Sequence, residues 1–253
     1  MSTPIGLDKL RADEFSERCR DAMIPLSNTF SYFPAMPLSE EDVKDYLDDP
    51  IAALPPGLAS MLRKVSILLV PYLERVNGKE KQRGPVDLVS FEPPPENRQI
   101  WFSLVGTLSE PSVVFAVKER QVADYHYHFY HAMATLSADH MGEEDLDRYY
   151  RVLREELGNN VHGEVDERGW HLKQNLLRRQ TNVRRESKLF REYARQSFID
   201  TMTLYLHGIC CDIDVETGPR QIPSRFLRRR LELLESMFPP PQGYAVFPEE
   251  LNR

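Results

Sequence analysis

The sequence predicts an α+β fold that is predominantly helical, with a small three-stranded antiparallel sheet over about residues 86–118 packed against long helices. Three observations lead there. β-Branched and aromatic residues concentrate in three short runs between Val86 and Val117. The connections between those runs are too short to hold the crossover that a parallel pair needs. After Arg120 the apolar residues recur with helical spacing almost to the end of the chain.

Taken in chain order, Leu7 to Ile24 reads as an opening helix that stops before Pro25, and Pro34 and Pro37 mark a loop. Ser39-Glu40-Glu41-Asp42 predicts a helix start, with the Ser39 hydroxyl accepting from an early amide and the acids facing the positive end of the helix. Pro50 finishes that short helix. An apolar helix follows from about Leu58 to Val76, kinked at Pro71. The strands Val86–Phe91, Gln99–Val105 and Ser112–Val117 come next, divided by Pro93-Pro94-Pro95-Glu96-Asn97 and by Thr107–Pro111. The remaining helices are Gln121–Asp139, Glu143–Leu157, a run from Glu164 to about His207, and Ser224–Met237. The third far exceeds an average helix and predicts a break near Gln180–Asn182 or Gln196–Ser197. The whole reads as a single domain over residues 1–253: a β-meander at 86–118, a helical portion at 121–238 and an extended tail at 239–253. Tyr244 and Phe247 in that tail predict docking on the body or on a second copy, as in a homo-oligomer.

Composition bounds the class. With 253 residues, 41% of them apolar, the chain is long enough for a sizeable core and is neither collagen-like nor disordered. No stretch reaches the ~18 apolar residues of a membrane span, and Met1 to Asp13 lacks the pattern of a secretory signal. Three cysteines are too few for a disulfide framework, which predicts a reducing, cytoplasmic setting. The net charge of −7 is unevenly spread: 17 basic against 29 acidic residues through Glu167, then 15 against 10 from Arg168 onward. Overall acidity speaks against a general nucleic-acid coat, while the basic second half leaves room for an anionic partner.

Two carboxylate–imidazole sets could carry chemistry. Asp124, His128 and His131 fall within a sector of about 60° on one helix, in the dense run Tyr125-His126-Tyr127-His128-Phe129-Tyr130-His131. Glu164, Glu167 and His171 share a similar sector at the start of the next long helix, with His162 just upstream. Spacings of three and four residues let such groups converge on one borderline cation. The sequence therefore predicts Asp124, His128, His131, Glu167 and His171 as metal ligands, with His126 and Glu164 as catalytic groups. As ordinary polar helix faces, the same residues would pair locally and bind nothing. Asp212, Asp214 and Glu216 alternate along an extended segment and form the competing, oxygen-rich site for a divalent ion.

The cations Lys173, Arg184, Lys188, Arg191 and Arg195 line another sector and predict an anion-binding stripe, or else a face neutralised by the acidic first half. No phosphate-loop, dinucleotide, nucleophile-elbow, zinc-finger or Cys-x-x-Cys pattern is present. Vicinal Cys210-Cys211 reads as packing, and His207 as a core histidine before a haem ligand. The leading expectation is a divalent-metal-dependent enzyme, hydrolase-like in using the ion to activate water, acting on an anionic, phosphate-bearing substrate. The alternative is a non-enzymatic binder of nucleic acid or a partner protein through the helix at 173–195.

Overall fold

The computed structural model describes residues 9–77, 84–178, 186–211 and 220–247. In chain order its elements are α1 (Ala12–Cys19), β1 (Ile24–Pro25), β2 (Phe30–Pro34), α2 (Glu40–Val43), a π-helical stretch (Lys44–Asp48), α3 (Asp49–Ala52), α4 (Pro56–Met61), β3 (Val65–Val70), β4 (Tyr72–Val76), β5 (Val86–Ser90), β6 (Phe102–Gly106) and β7 (Pro111–Ala116). The helices α5 (Val122–Ala138), α6 (Glu143–Gly158), α7 (Glu167–Leu177), α8 (Lys188–Cys210) and α9 (Ser224–Met237) follow. The chain divides into two compact units: unit 1 is Met1–Asp49 with Leu62–Ala132, and unit 2 is Pro50–Met61 with Met133–Arg253. Among the described residues, no helix is long and apolar enough to cross a membrane.

Unit 1 is built on a five-stranded mixed sheet of order β1-β2-β3-β7-β6. β2, β3 and β7 run parallel, and β1 and β6 close the two sides antiparallel. The central β3, Val65-Ser66-Ile67-Leu68-Leu69-Val70, is almost wholly buried, as a strand covered on both faces must be. On one face Leu68, Val70, Val114 and Ala116 pack with Ala12, Phe15 and Cys19 of α1. On the other, Phe115 meets Tyr125 and Phe129 of α5 at ring separations of 5.2 and 5.9 Å. Pro71 separates β3 from β4, which pairs antiparallel with β5 in a separate two-stranded sheet.

α2 opens with a capping box: Asp42 N–H donates to Ser39 Oγ at 3.0 Å, and Ser39 N–H to the Asp42 carboxylate at 2.8 Å. The backbone then widens into the π stretch, where Asp49 N–H reaches back to the carbonyl of Lys44. Two carbonyls there take side-chain donors from α5: Tyr125 O–H donates to Tyr46 at 2.8 Å and His126 Nε2–H to Asp45 at 2.7 Å.

Two expectations need correction. The residues around 86–118 form no three-stranded antiparallel meander: β6 and β7 are the antiparallel hairpin, but β5 belongs to β4, and β7's second neighbour is the parallel β3. Residues 65–76 are two strands, not the second half of a helix. A short apolar run fits a buried strand or a buried helix equally by periodicity, and the β-branched ends and Pro71 favour the strand. Of the two breaks expected in the run from Glu164, the first agrees with the structure: α7 ends at Leu177 and α8 starts at Lys188 behind its cap Ser187, whose Oγ accepts from Phe190 N–H at 3.1 Å. α8 then continues unbroken through Gln196–Ser197.

In unit 2, α8 is the axial helix and packs against α6, α7 and α9. A short parallel bridge ties the lead-in to α7 to the lead-in to α9: Glu164 N–H donates to Arg220 at 2.9 Å and Ile222 N–H to Glu164 at 3.1 Å. Gly163 makes this bridge possible. Its φ is +76°, and a Cβ there would lie 2.2 Å from the Gln221 carbonyl oxygen. Gly163→Ala is therefore expected to lower unfolding free energy by about 2 kcal/mol or more. Urea unfolding followed by circular dichroism checks this, and a loss below about 0.5 kcal/mol would show that the bridge is dispensable.

Candidate functional site

A groove of about 850 Å³ in unit 1 lies over the sheet face that carries α1. Its floor is a row of serines. Ser31 of β2 is in register with Ser66 of β3, and Ser66 with Ser112 of β7. Side chains directly paired across neighbouring strands point to the same face, at the ~4.8 Å strand spacing. All three line the groove, and among the described residues none of their hydroxyls has a hydrogen-bond partner. α1 is only eight residues long and covers the later part of each strand, so the serine end stays open.

Charges line the rim. Arg11 chelates Asp13 through two hydrogen bonds of 3.0 and 2.9 Å, and Arg20 pairs with Glu17 at 2.6 Å. Asp87 is held by Arg75 at 2.8 and 3.0 Å and accepts from Ser103 Oγ at 2.8 Å. Lys64 and Glu110 stand two residues before Ser66 and Ser112, and among the described residues neither is in an ion pair. The groove thus offers one available ammonium, one available carboxylate and three hydroxyls able to donate or accept. None of these residues is prominent in the sequence. A signal existed: in each of β2, β3 and β7 the second residue is a serine set in an otherwise apolar or aromatic run.

The residues singled out by sequence fall elsewhere. On α5, Asp124 is exposed, while His128 and His131 lie together beside Phe102. His128 stacks on Trp101 at 4.3 Å, and the Arg120 guanidinium sits 4.1 Å from the same indole. Burial, with the nearby His131 and Arg120, pushes the His128 imidazole down to about 4, so it is neutral at pH 7. His126 is buried and donates to the Asp45 carbonyl, which fixes its tautomer.

The second set lies in unit 2, and its members separate there. Glu167 and His171 are exposed neighbours 3.6 Å apart, Glu167 also pairs with Arg220 at 2.8 Å, and His162 is exposed. Glu164 is instead part of a buried ionic cluster. One of its oxygens accepts from Lys173 Nζ at 3.1 Å, Tyr193 O–H at 2.5 Å and Arg230 Nη2 at 3.1 Å, and the other from Arg230 Nη1 at 2.8 Å. Arg230 also donates to Glu156, with contacts of 2.5 and 3.1 Å, and to Ser197 Oγ at 2.9 Å. Burial alone would raise the Glu164 carboxyl, but Arg230 and Lys173 hold it down at about 2. Lys173, expected on an anion-binding stripe, is fully buried here.

Lys188 and Arg191 are exposed on α8, and Arg195 is bound to Asp139 by contacts of 3.1 and 2.8 Å. Arg184, Asp212, Asp214 and Glu216 lie outside the described residues. No protein-family model matches the chain, and no curated protein or solved structure is detectably similar to it.

One buried acid of unit 2 is incompletely satisfied. Asp200 is 5% exposed; its Oδ1 accepts from Gln196 at 2.7 Å, and its Oδ2 has no hydrogen-bond partner among the described residues. Burial, reinforced by Asp166 and Glu164, raises its carboxyl to about 7. The folded state therefore holds a proton that the unfolded chain, with a carboxyl near ~3.9, has released. This contribution to stability is complete below that value and is lost as pH rises through about 7. Asp200→Asn should flatten stability between about pH 4 and 7 and raise it by at least about 1 kcal/mol at pH 8. An unchanged slope in urea titrations across that range would refute the assignment. Arg230→Met, which strands the buried Glu156 carboxylate and leaves Glu164 only Lys173 and Tyr193, should cost about 3–5 kcal/mol in the same assay. A loss under 1 kcal/mol would mean that the cluster contributes little.

Proposed function

We propose that the protein binds a phosphate-bearing small molecule in the groove of unit 1. The observation that carries the reading is the row Ser31–Ser66–Ser112, whose in-register hydroxyls lack hydrogen-bond partners among the described residues, with Lys64 two residues before the central Ser66. Hydroxyl and ammonium donors at strand spacing suit the oxygens of a phosphoryl group, and charge-assisted bonds from Lys64 would add about twice the strength of neutral ones. The free Glu110 carboxylate and the paired Asp13 and Asp87 suit hydroxyls or a cationic group elsewhere on the same ligand.

This keeps the anionic ligand expected from the sequence and moves its site to the sheet. A divalent cation enters the proposal only as a companion of the phosphate, since Mg²⁺ commonly combines one or two carboxylates with substrate phosphate oxygens. Metal-dependent hydrolysis at Asp124, His128 and His131 has less behind it, because Asp124 is exposed while His128 is stacked on the Trp101 indole. Nucleic-acid binding along residues 173–195 loses Lys173 to the core and Arg195 to Asp139.

Titration of the ¹⁵N-labelled protein with inorganic phosphate and with phosphorylated sugars tests the reading. The amides of Ser31, Ser66 and Ser112 should shift with saturation, and Lys64→Glu or the pair Ser66→Val/Ser112→Val should weaken binding at least tenfold. Absence of saturable shifts at those three amides up to millimolar ligand would overturn it.

A further inference from the structure

The two edges of the five-stranded sheet are treated very differently. β1 is two residues long and its second is Pro25, which has no N–H to offer. β6, Phe102-Ser103-Leu104-Val105-Gly106, contains no proline and no charge. Its hydrogen-bond phase follows from Ala116 N–H donating to Trp101 at 2.9 Å and Thr107 N–H to Glu110 at 3.3 Å. Residues 101, 103, 105 and 107 therefore bond to β7 or its flanks, and the backbone groups of Phe102 and Leu104 point outward. Among the described residues they have no partner. The start of the strand is covered, since Ile100 N–H donates to Leu73 at 3.1 Å, but the cover ends there. A groove of about 520 Å³ runs along the open part, lined by the consecutive residues 99–104 and by Arg75, Asp87 and His128.

We infer that β6 pairs antiparallel with β6 of a second copy of this chain, joining the two sheets across a two-fold axis at Leu104. The strand matches itself in this register. Leu104 faces Leu104 of the second copy and exchanges two backbone hydrogen bonds with it. Phe102 faces Gly106, whose missing side chain leaves room for the ring. Ser103 faces Val105, so no like charges meet along the seam. A two-fold contact needs such self-complementarity, because each position must accept its mirror in sequence.

The experiment is analytical ultracentrifugation of the full chain from about 1 to 200 µM, with wild type, Leu104→Pro and Ile24→Pro. Wild type should sediment as a dimer at the upper concentrations. Leu104→Pro removes one outward donor and no β6–β7 bond, so it should weaken dimerisation at least tenfold, whereas Ile24→Pro on the opposite edge should leave it unchanged. Hydrogen exchange on wild type reads the same contact without a variant: the Phe102 and Leu104 amides should be protected at 200 µM and lose at least tenfold of that protection at 1 µM. A monomer throughout overturns the inference. So does a dimer in which Leu104→Pro has no effect, or one whose Leu104 amide exchanges equally at both concentrations; the last holds even if Leu104→Pro fails to fold.

Discussion

Unit 2 depends on one guanidinium. Arg230 brings its charge into the middle of four helical segments and is met there by the carboxylates of Glu156 and Glu164, with Lys173 and the Tyr193 hydroxyl completing the second. Desolvating these ions is expensive, and only near-complete hydrogen bonding offsets it. Amphipathic helices packed by apolar contact alone tolerate sliding by a fraction of a turn. A cluster whose members come from α6, the lead-in to α7, α7, α8 and α9 does not, because one displaced partner leaves a bare charge in an apolar interior. The Gly163 turn and the Glu164–Gln221 bridge are the backbone side of the same constraint, since they set the point from which Glu164 reaches inward.

In unit 1 the governing feature is incomplete cover. Sheets flanked by helices normally hide both faces, and here α5 does so on one side while α1 covers only part of the other. Apolar residues occupy the covered stretch and serines the open one. The sequence thus changes chemistry where the helix stops, and a groove with available hydroxyls results. In open sheets with parallel strands, ligands more often gather at the carboxyl ends of the strands. The serine row lies at their amino ends, so the groove does not follow from that general rule and had to be read from the residues themselves.

How much of this could be read in advance depends on the range of the interaction. Ser39 and Asp42, three residues apart, declared a helix start, and the limits of α5, α6 and α9 matched the periodic runs within a residue or two. The hairpin β6–β7 was also visible, because its turn lies between its strands. The pairing of β3 with β7 was not: their paired residues lie 46 positions apart, and no local pattern marks a parallel partner. For the same reason Glu164 and Lys173 looked like surface chemistry. Their spacing is that of a polar helix face, and only Arg230, far along the chain, shows that this face points inward. The histidine run drew attention by its density, yet His126 and Tyr125 are committed to backbone carbonyls and His128 to an indole.

Those backbone carbonyls belong to the π stretch at Lys44–Asp48, and its winding carries a consequence for how the sequence can drift. In a regular helix Asp49 N–H would take the Asp45 carbonyl, but here it reaches back to Lys44; the residue that would serve the Tyr46 carbonyl is Pro50, which has no N–H, and the two carbonyls are claimed by an imidazole and a phenol. The extra residue in that loop of backbone and the His126 donor on α5 are thus structurally coupled. A homologue one residue shorter between Val43 and Asp49, wound regularly there, should also have exchanged His126 for a side chain with nothing to donate, so a length change in one helix will travel with a change of chemistry in another some eighty positions away.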